Sequence, residues 1–329
     1  MFVIDKMFFK TKKIDKGINH HSNSMIKSEN KIMPRMFEWF KKDKDNCDKC
    51  DDSKNIFSGI FNKTLFKKNS DSQHVCSPSV LSLKKFETTD IKSLTQKTVW
   101  EERIEIKYIA NDSAMESLLQ KLSAEYLLLE HNGKCVTHYT TEYLDTADRS
   151  IFYGNQNQNN KPRYKIRKRY YNNEDHFWLE VKEKKNGKLR KYRIFNPTPC
   201  EFEKFICSNT PYAPSDLKSA LFVYHDRMTF MHKTLPLKIT VDTNVKVKKD
   251  GSGCMIPFNN IMIIELKSRK NELAYAARII ESQDIKPRSV SKYRIGMAIM
   301  HPELKRDDKL KPTLLQIKKI NKNIKICKI

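Results

Sequence analysis

Glycine is scarce in this chain, 8 in 329 residues. Its closest pair, Gly251 and Gly253 in "GSG", has neither a strand–GxGxxG–helix frame nor a Walker frame around it. Phosphate loops of those two kinds are therefore excluded, and "GSG" reads as a turn. Long apolar runs are missing too. No stretch of about 18 apolar residues occurs, so no membrane span is expected. The N-terminal "MFVIDKMFFKTKK" is interrupted by Asp5 and Lys6 and does not read as a signal peptide. The eight cysteines are scattered. Only Cys47 and Cys50 form a CxxC, with no second CxxC or His pair to complete a zinc site. Such thiols without a secretory signal imply a reducing compartment, and the chain is expected to be soluble and cytoplasmic. Acidic residues are also short: 39 Asp and Glu against 63 Lys and Arg leave a net charge of +24. That balance suits an anionic partner such as nucleotide, polyphosphate, nucleic acid or an acidic membrane surface.

What is present divides into three stretches. Residues 1–98 are rich in Lys, Asn, Ser and Asp, with apolar islands such as "MFEWF" and no sustained period. They are expected to form a basic, largely disordered extension. Residues 302–329 read as a basic tail with a short amphipathic helix. Nucleic acid is a candidate partner for these basic ends, and no protein partner is indicated. Between them, residues 99–301 offer eight strand candidates: 101–109, 136–144, 163–171, 176–184, 189–195, 222–230, 236–243 and 261–268. "NGK" at 186–188 is a hairpin signal. "SAMESLLQKLSAEYLL", "NELAYAARIIES" and "SVSKYRIGMAIM" carry helical spacing.

Charge alternates along the strands. In "PRYKIRKRYY", Arg163, Lys165, Arg167 and Arg169 occupy every second position and so share one face. Like charges about 7 Å apart repel by roughly 2 kcal/mol per pair at an effective dielectric near 20. The pattern recurs as Arg103, Glu105 and Lys107 in "ERIEIKY", and as Glu180, Lys182 and Lys184 in "FWLEVKEK". Lys191 and Arg193, His225 and Arg227, Lys238 and Asp242, and Glu265 and Lys267 repeat it. His225 and His232 are expected to be structural or solvent-facing. An α+β fold follows, in which a closed antiparallel eight-stranded β-barrel turns its charged faces inward and packs helices outside. Such a tunnel suits a chain of phosphates, and its inward Glu residues suit a divalent cation.

"ERIEIKY", "YLDTADRSIFY", "RYKIRKRYY", "LEVKEK", "KYR", "DRMTF", "KITVDT", "IIELK" and "SKYRIG", in this order, resemble the motif series of the VTC polyphosphate polymerase domain. That family lies within the triphosphate tunnel metalloenzymes (the CYTH-like superfamily), and the resemblance covers about residues 99–300. It implies transfer of the ATP γ-phosphate to a growing polyphosphate chain. By position it implies that Lys107, Arg167, Arg169, Lys182, Lys191, Arg193, Arg227, Lys238 and Lys292 carry the catalytic contacts. Arg103, Arg163, Lys165, Lys184 and Lys267 would bind substrate. Glu265 would hold Mn2+ or Mg2+, with Glu105 or Glu180 assisting. Arg103-x-Glu105-x-Lys107 departs from the superfamily's Glu-x-Glu-x-Lys, and Lys238 stands where fungal members have Arg. A tunnel-type inorganic or RNA 5′-triphosphatase, and a non-catalytic polyphosphate or nucleic-acid binding module, are the alternative readings.

Overall fold

Alternation of apolar and charged residues sets the strands. The computed structural model describes residues 80–97, 104–156 and 161–324. Its main strands are β2 (Ile104–Asn111), β4 (Thr137–Asp145), β5 (Arg163–Tyr171), β6 (Phe177–Lys185), β7 (Lys188–Phe195), β8 (Lys218–His232), β9 (Leu237–Lys249) and β11 (Ile261–Ser268). Shorter strands are β1 (Thr88–Thr89), β3 (Tyr126–Leu129) and β10 (Met255–Pro257). The hairpin expected at "NGK" joins β6 to β7, with Asn186 and Gly187 both at positive φ.

The α+β class and the antiparallel sheet hold, but the expected closure does not. The strands run β2-β11-β9-β8-β4-β5-β6-β7, and the two end strands are not hydrogen-bonded to each other. The physical reason lies at β2. Its free edge is taken by the segment between the helices Leu273–Glu281 and Lys292–Met300: the Arg288 N–H donates to the Lys107 carbonyl at 2.8 Å, and Tyr108 bridges Pro287. At the other end β7 leaves an edge studded with Lys188, Arg190, Lys191 and Arg193, charges that discourage edge-to-edge pairing.

The sheet is nevertheless strongly curled. Lys165 on β5 feels the charges of Lys107 and Glu105 on β2. Lys182 on β6 likewise feels Glu265 and Lys267 on β11. Strands distant in pairing order thus face one another across a concave surface. Register shifts at Tyr143/Leu144 and at Tyr224/Asp226 supply the bends in the long central strands.

Eight helices are described: α1 (Val80–Leu83), α2 (Ile91–Lys97), α3 (Met115–Leu122), α4 (Ser150–Gly154), α5 (Pro199–Asn209), α6 (Leu273–Glu281), α7 (Lys292–Met300) and α8 (Lys311–Ile320). On the convex side, Leu118, Leu122, Ala276 and Ile280 of α3 and α6 bury Phe230, Ile239, Val241, Ile264 and Leu266. The helix expected from Ser113 stops at Leu122. Tyr126–Leu129 instead forms β3, whose Tyr126 and Leu128 are buried while the strand pairs with β8. Within the extension expected to be disordered, residues 80–97 fold: Phe86 and Leu94 are buried and β1 pairs with β3. The remainder of that expectation lies outside the described residues. Residues 302–324 carry α8, whose Leu314 and Ile317 are buried in the core. No helix among the described residues is long and apolar enough to cross a membrane.

One end of the concave surface is apolar, and α7 fills it. Tyr293 stacks on Tyr143 with ring centroids 4.9 Å apart, and its hydroxyl donates to buried Asp145 at 2.5 Å. Gly296 lets the helix sit against β8 and β9. A Cβ there would lie 2.5 Å from Leu221 Cδ2 and 3.2 Å from Val247 Cγ1. Overpacking of this kind costs about 1–3 kcal/mol. Gly296→Ala is therefore expected to lower the thermal midpoint by several degrees, and an unchanged midpoint would mean that α7 does not pack as described.

Candidate active site

The rest of the concave surface is lined with charge. β5 turns Ile166 and the Tyr164 and Tyr170 rings to the apolar side, where buried Lys168 pairs with Glu142 at 3.4 Å. Arg163, Lys165, Arg167 and Arg169 therefore line the concave side, continued by Glu180, Lys182 and Lys184 on β6. Lys191 and Arg193 follow on β7, with Arg193 over the Trp178 ring at 4.6 Å. From the other direction come Glu105 and Lys107 on β2, Glu265 and Lys267 on β11, Lys238 on β9 and Arg227 on β8. Lys292, the first residue of α7, reaches in from the filled end. Arg163, Lys184 and Arg193 stand toward the rims, and Arg103 lies outside the described residues.

Two carboxylates are saturated by cations. Glu180, buried to 1% exposure, meets Arg167 Nη2 at 2.5 Å, Arg169 Nη1 at 3.6 Å and the Lys191 ammonium. Burial disfavours its charge, but Arg167, Arg169 and Lys191 outweigh that and hold its carboxyl well below the usual range. Asp242, also 1% exposed, takes a two-point contact from Arg227 (2.5 and 2.7 Å) and an ion pair from Lys292. It too stays ionised against burial, held by Arg227 and Lys292. Glu180 was expected to assist Glu265. It stands on β6, where three cations already surround it.

Glu265 and Glu105 form the third acidic point. Glu265 meets Lys267 at 3.1 Å and Lys107 at 3.9 Å, and Lys107 also meets Glu105 at 2.5 Å, so the two carboxylates share one ammonium. Burial works against the charge of Glu265, and Lys267, Glu105 and Lys107 override it. Among the described residues no three Asp, Glu, His or Cys side chains gather around one point. A pair of adjacent carboxylates nonetheless fits Mg2+ or Mn2+, which at nucleotide sites take one or two carboxylates and complete their shell with phosphate oxygens and water.

Cations without a counter-ion remain. Among the described residues Lys165 and Lys182 make no ion pair; Lys165 only donates to Ser291 Oγ at 3.1 Å. Burial, then the charges of Lys107, Arg167 and Arg294, push the Lys165 ammonium down to about 7. Burial and Arg167 hold Lys182 well below the usual lysine range. Buried polar atoms without partners point the same way: Arg169 Nε, Thr141 Oγ1, Thr240 Oγ1 and both ring nitrogens of His225. By register these side chains lie on the same face as Arg169, Glu265 and Tyr139. A bound polyanion would supply what that face lacks.

Sequence reading passes over several members of this wall. Asp242 alternates with Lys238 and so lies on the charged face, yet its hold on Arg227 and Lys292 depends on a neighbouring strand and on α7. Tyr139 is a second case: Arg227 and Arg169 lie over its ring at 5.1 and 5.3 Å, and His225 stacks on it at 4.9 Å. His225 is buried in the wall itself. Burial first, against the pull of Asp242 and with the push of Lys292 and Arg227, keeps its imidazole neutral.

The chain is similar to several solved structures. The PH1819 protein of Pyrococcus horikoshii OT3 shares 16% identity at a TM-score of 0.34, over 57% of this chain and 95% of that one. A putative adenylyl cyclase from Hippeastrum, described as having a dominant triphosphatase activity, shares 12% at 0.40, over 60% and 97%. A putative adenylate cyclase of Bacillus halodurans shares 14% at 0.37, over 58% and 94%. No curated protein matches the sequence. The family model of the VTC domain matches residues 102–216 and 212–301, which takes in every strand of the curled path, the Glu105–Glu265 pair and Lys292. The chain belongs to the VTC domain family.

Proposed function

We propose that the concave wall is the active site of a polyphosphate polymerase, which moves the γ-phosphate of ATP onto the end of a polyphosphate chain. The observation that carries this reading is the pair of unneutralised cations, Lys165 and Lys182, facing Lys107, Glu105, Glu265 and Lys267 across the wall. A terminal oxygen of the acceptor chain forms the new P–O bond, the bond from the γ-phosphorus to the β,γ-bridging oxygen breaks, and ADP leaves. Phosphoryl transfer of this kind needs alignment and charge neutralisation and no protein nucleophile. Arg167 and Arg169, held in place by Glu180, present guanidinium edges to phosphate oxygens. Arg227 and Lys292 are oriented by Asp242 to do the same. Lys107, Lys182, Lys191, Lys238 and Lys267 act as point charges along the chain, with Arg193, Arg163 and Lys184 at the rims. Glu105 and Glu265 would hold Mn2+ or Mg2+, which supplies Lewis-acid neutralisation of phosphate charge when bound.

Incubation of the purified protein with γ-labelled ATP and Mn2+ tests the reading. Label in a ladder of long chains, with matching ADP, is expected. Label appearing only as free phosphate, from ATP, triphosphate or 5′-triphosphate RNA, would make it a hydrolase. Tight polyphosphate binding without turnover would make it a binding module.

The wall also predicts a pH dependence. Lys165 sits at about 7; Lys191 is lowered by burial, against the pull of Glu180, to about 8. Each is charged below its value, so affinity for tripolyphosphate should fall as pH rises through those values. A bound anion raises both, so binding should take up protons. Calorimetry in buffers of different ionisation enthalpy reads that uptake, and none at pH near 8 would contradict the assignment.

A further inference from the structure

We propose that a cavity of about 320 Å3 beside the start of β5 is a second anion subsite, which holds the phosphates of a long polyphosphate chain where it passes out of the concave wall. The proposal deepens the polymerase reading and rests on it. The cavity lies between Asn155–Gln156, Arg163, Arg294 and the connection from α7 to α8, which contributes Asp307 and Lys309. At about 30 Å3 per water it has room for a short run of phosphates.

Continuity is the first argument. Arg163 is the outermost member of the row Arg169, Arg167, Lys165, Arg163. Lys165 donates to Ser291 Oγ, and Ser289 and Arg294, on either side of Ser291, line the cavity. The cationic wall therefore runs into it without a break.

Charge is the second. Arg163, Arg294 and Lys309 face a single acid, Asp307, which is already engaged by Arg294 and accepts the Leu310 N–H at 3.0 Å. Among the described residues Arg163 and Lys309 make no ion pair, and Arg294 Nε is buried without a partner. Arg294 is also one of the charges acting on Lys165, so an anion in the cavity relieves both places.

The shape of the lining decides the ligand class. Among the described residues it contains no aromatic ring and no apolar side chain that would stack a base. Gln156 donates to the Lys305 carbonyl at 2.9 Å, and Asn155 donates to Ile151 and Tyr164 carbonyls, so these amides brace the walls. A bare phosphate chain fits this surface better than a nucleotide does.

The test compares two probes on the full chain, tripolyphosphate and long-chain inorganic polyphosphate. The variants are Lys309→Glu and Lys309→Ser, at a lining residue outside the concave wall. Lost charge-assisted contacts should weaken the long chain by about tenfold or more, with tripolyphosphate changed by less than about threefold. Equal weakening of both probes, or of neither, overturns the proposal. So does an RNA oligonucleotide that loses binding in the variants while long polyphosphate does not. Should Lys309→Glu fail to fold, Lys309→Ser at the same exposed position carries the same contrast. ADP release is scored separately: a protein that binds long chains through this cavity yet makes none overturns the polymerase reading alone.

Discussion

Glu265→Gln is expected to reduce metal-dependent turnover by about two to three orders of magnitude while leaving polyphosphate binding intact or tighter. The carboxylate stands among Lys107, Lys267 and the Glu105 carboxyl, and it is ionised against its burial. In a wall that binds phosphate, an anion is a cost to the ligand unless a cation joins it. The loss expected is that of a metal-neutralised charge, several kcal/mol of transition-state stabilisation, at one tenfold per about 1.4 kcal/mol. Mn2+ affinity, read by electron paramagnetic resonance, should fall in parallel, and Glu105→Gln should do the same to a smaller degree. Turnover and Mn2+ binding that survive in Glu265→Gln would move the metal elsewhere.

Glu180→Gln should be the most destabilising polar substitution in the wall, and for a different reason. Its carboxylate is the counter-ion of Arg167, Arg169 and Lys191. Removing one partner of a buried ion cluster costs about 3–5 kcal/mol, because the remaining charge is left uncompensated. Tripolyphosphate should restore more stability to this variant than to the parent, since the ligand's anions replace the missing carboxylate and ligand linkage adds to the folded state. Thermal midpoints with and without tripolyphosphate measure this directly. A variant as stable as the parent, or one that loses Mn2+ affinity instead, would mean that Glu180 is a metal ligand and not a counter-ion.

The contrast between these two glutamates marks the boundary of what the sequence discloses. Each alternates with lysine on an amphipathic strand, so the period of two places both on the charged face. Which cations surround each depends on the facing strands, and no local pattern encodes that. The strands themselves were legible because alternation is local, and all eight formed near their expected bounds. Tyr126–Leu129 was not, since "EYLL" continues a helical spacing and becomes β3 only because β8 and β1 supply its hydrogen bonds. Helix α5 shows an overlooked local signal. Thr198, Pro199 and Glu201 spell an N-cap, a first-turn proline and a capping-box glutamate, and the structure uses all three. The open seam between β2 and β7 was out of reach, because Pro287 and Arg288 cover β2 from more than a hundred residues away.

Phosphates are expected to lie along the concave wall, against Lys165, Arg167, Lys182 and Arg227, with the metal at Glu105 and Glu265. A crystal structure of the protein with tripolyphosphate and Mn2+ tests this placement most directly. Phosphate density along those side chains is expected, with an anomalous manganese peak beside the two carboxylates. Phosphate bound only at the exposed β7 edge or the basic tails, with the concave wall empty, would contradict it.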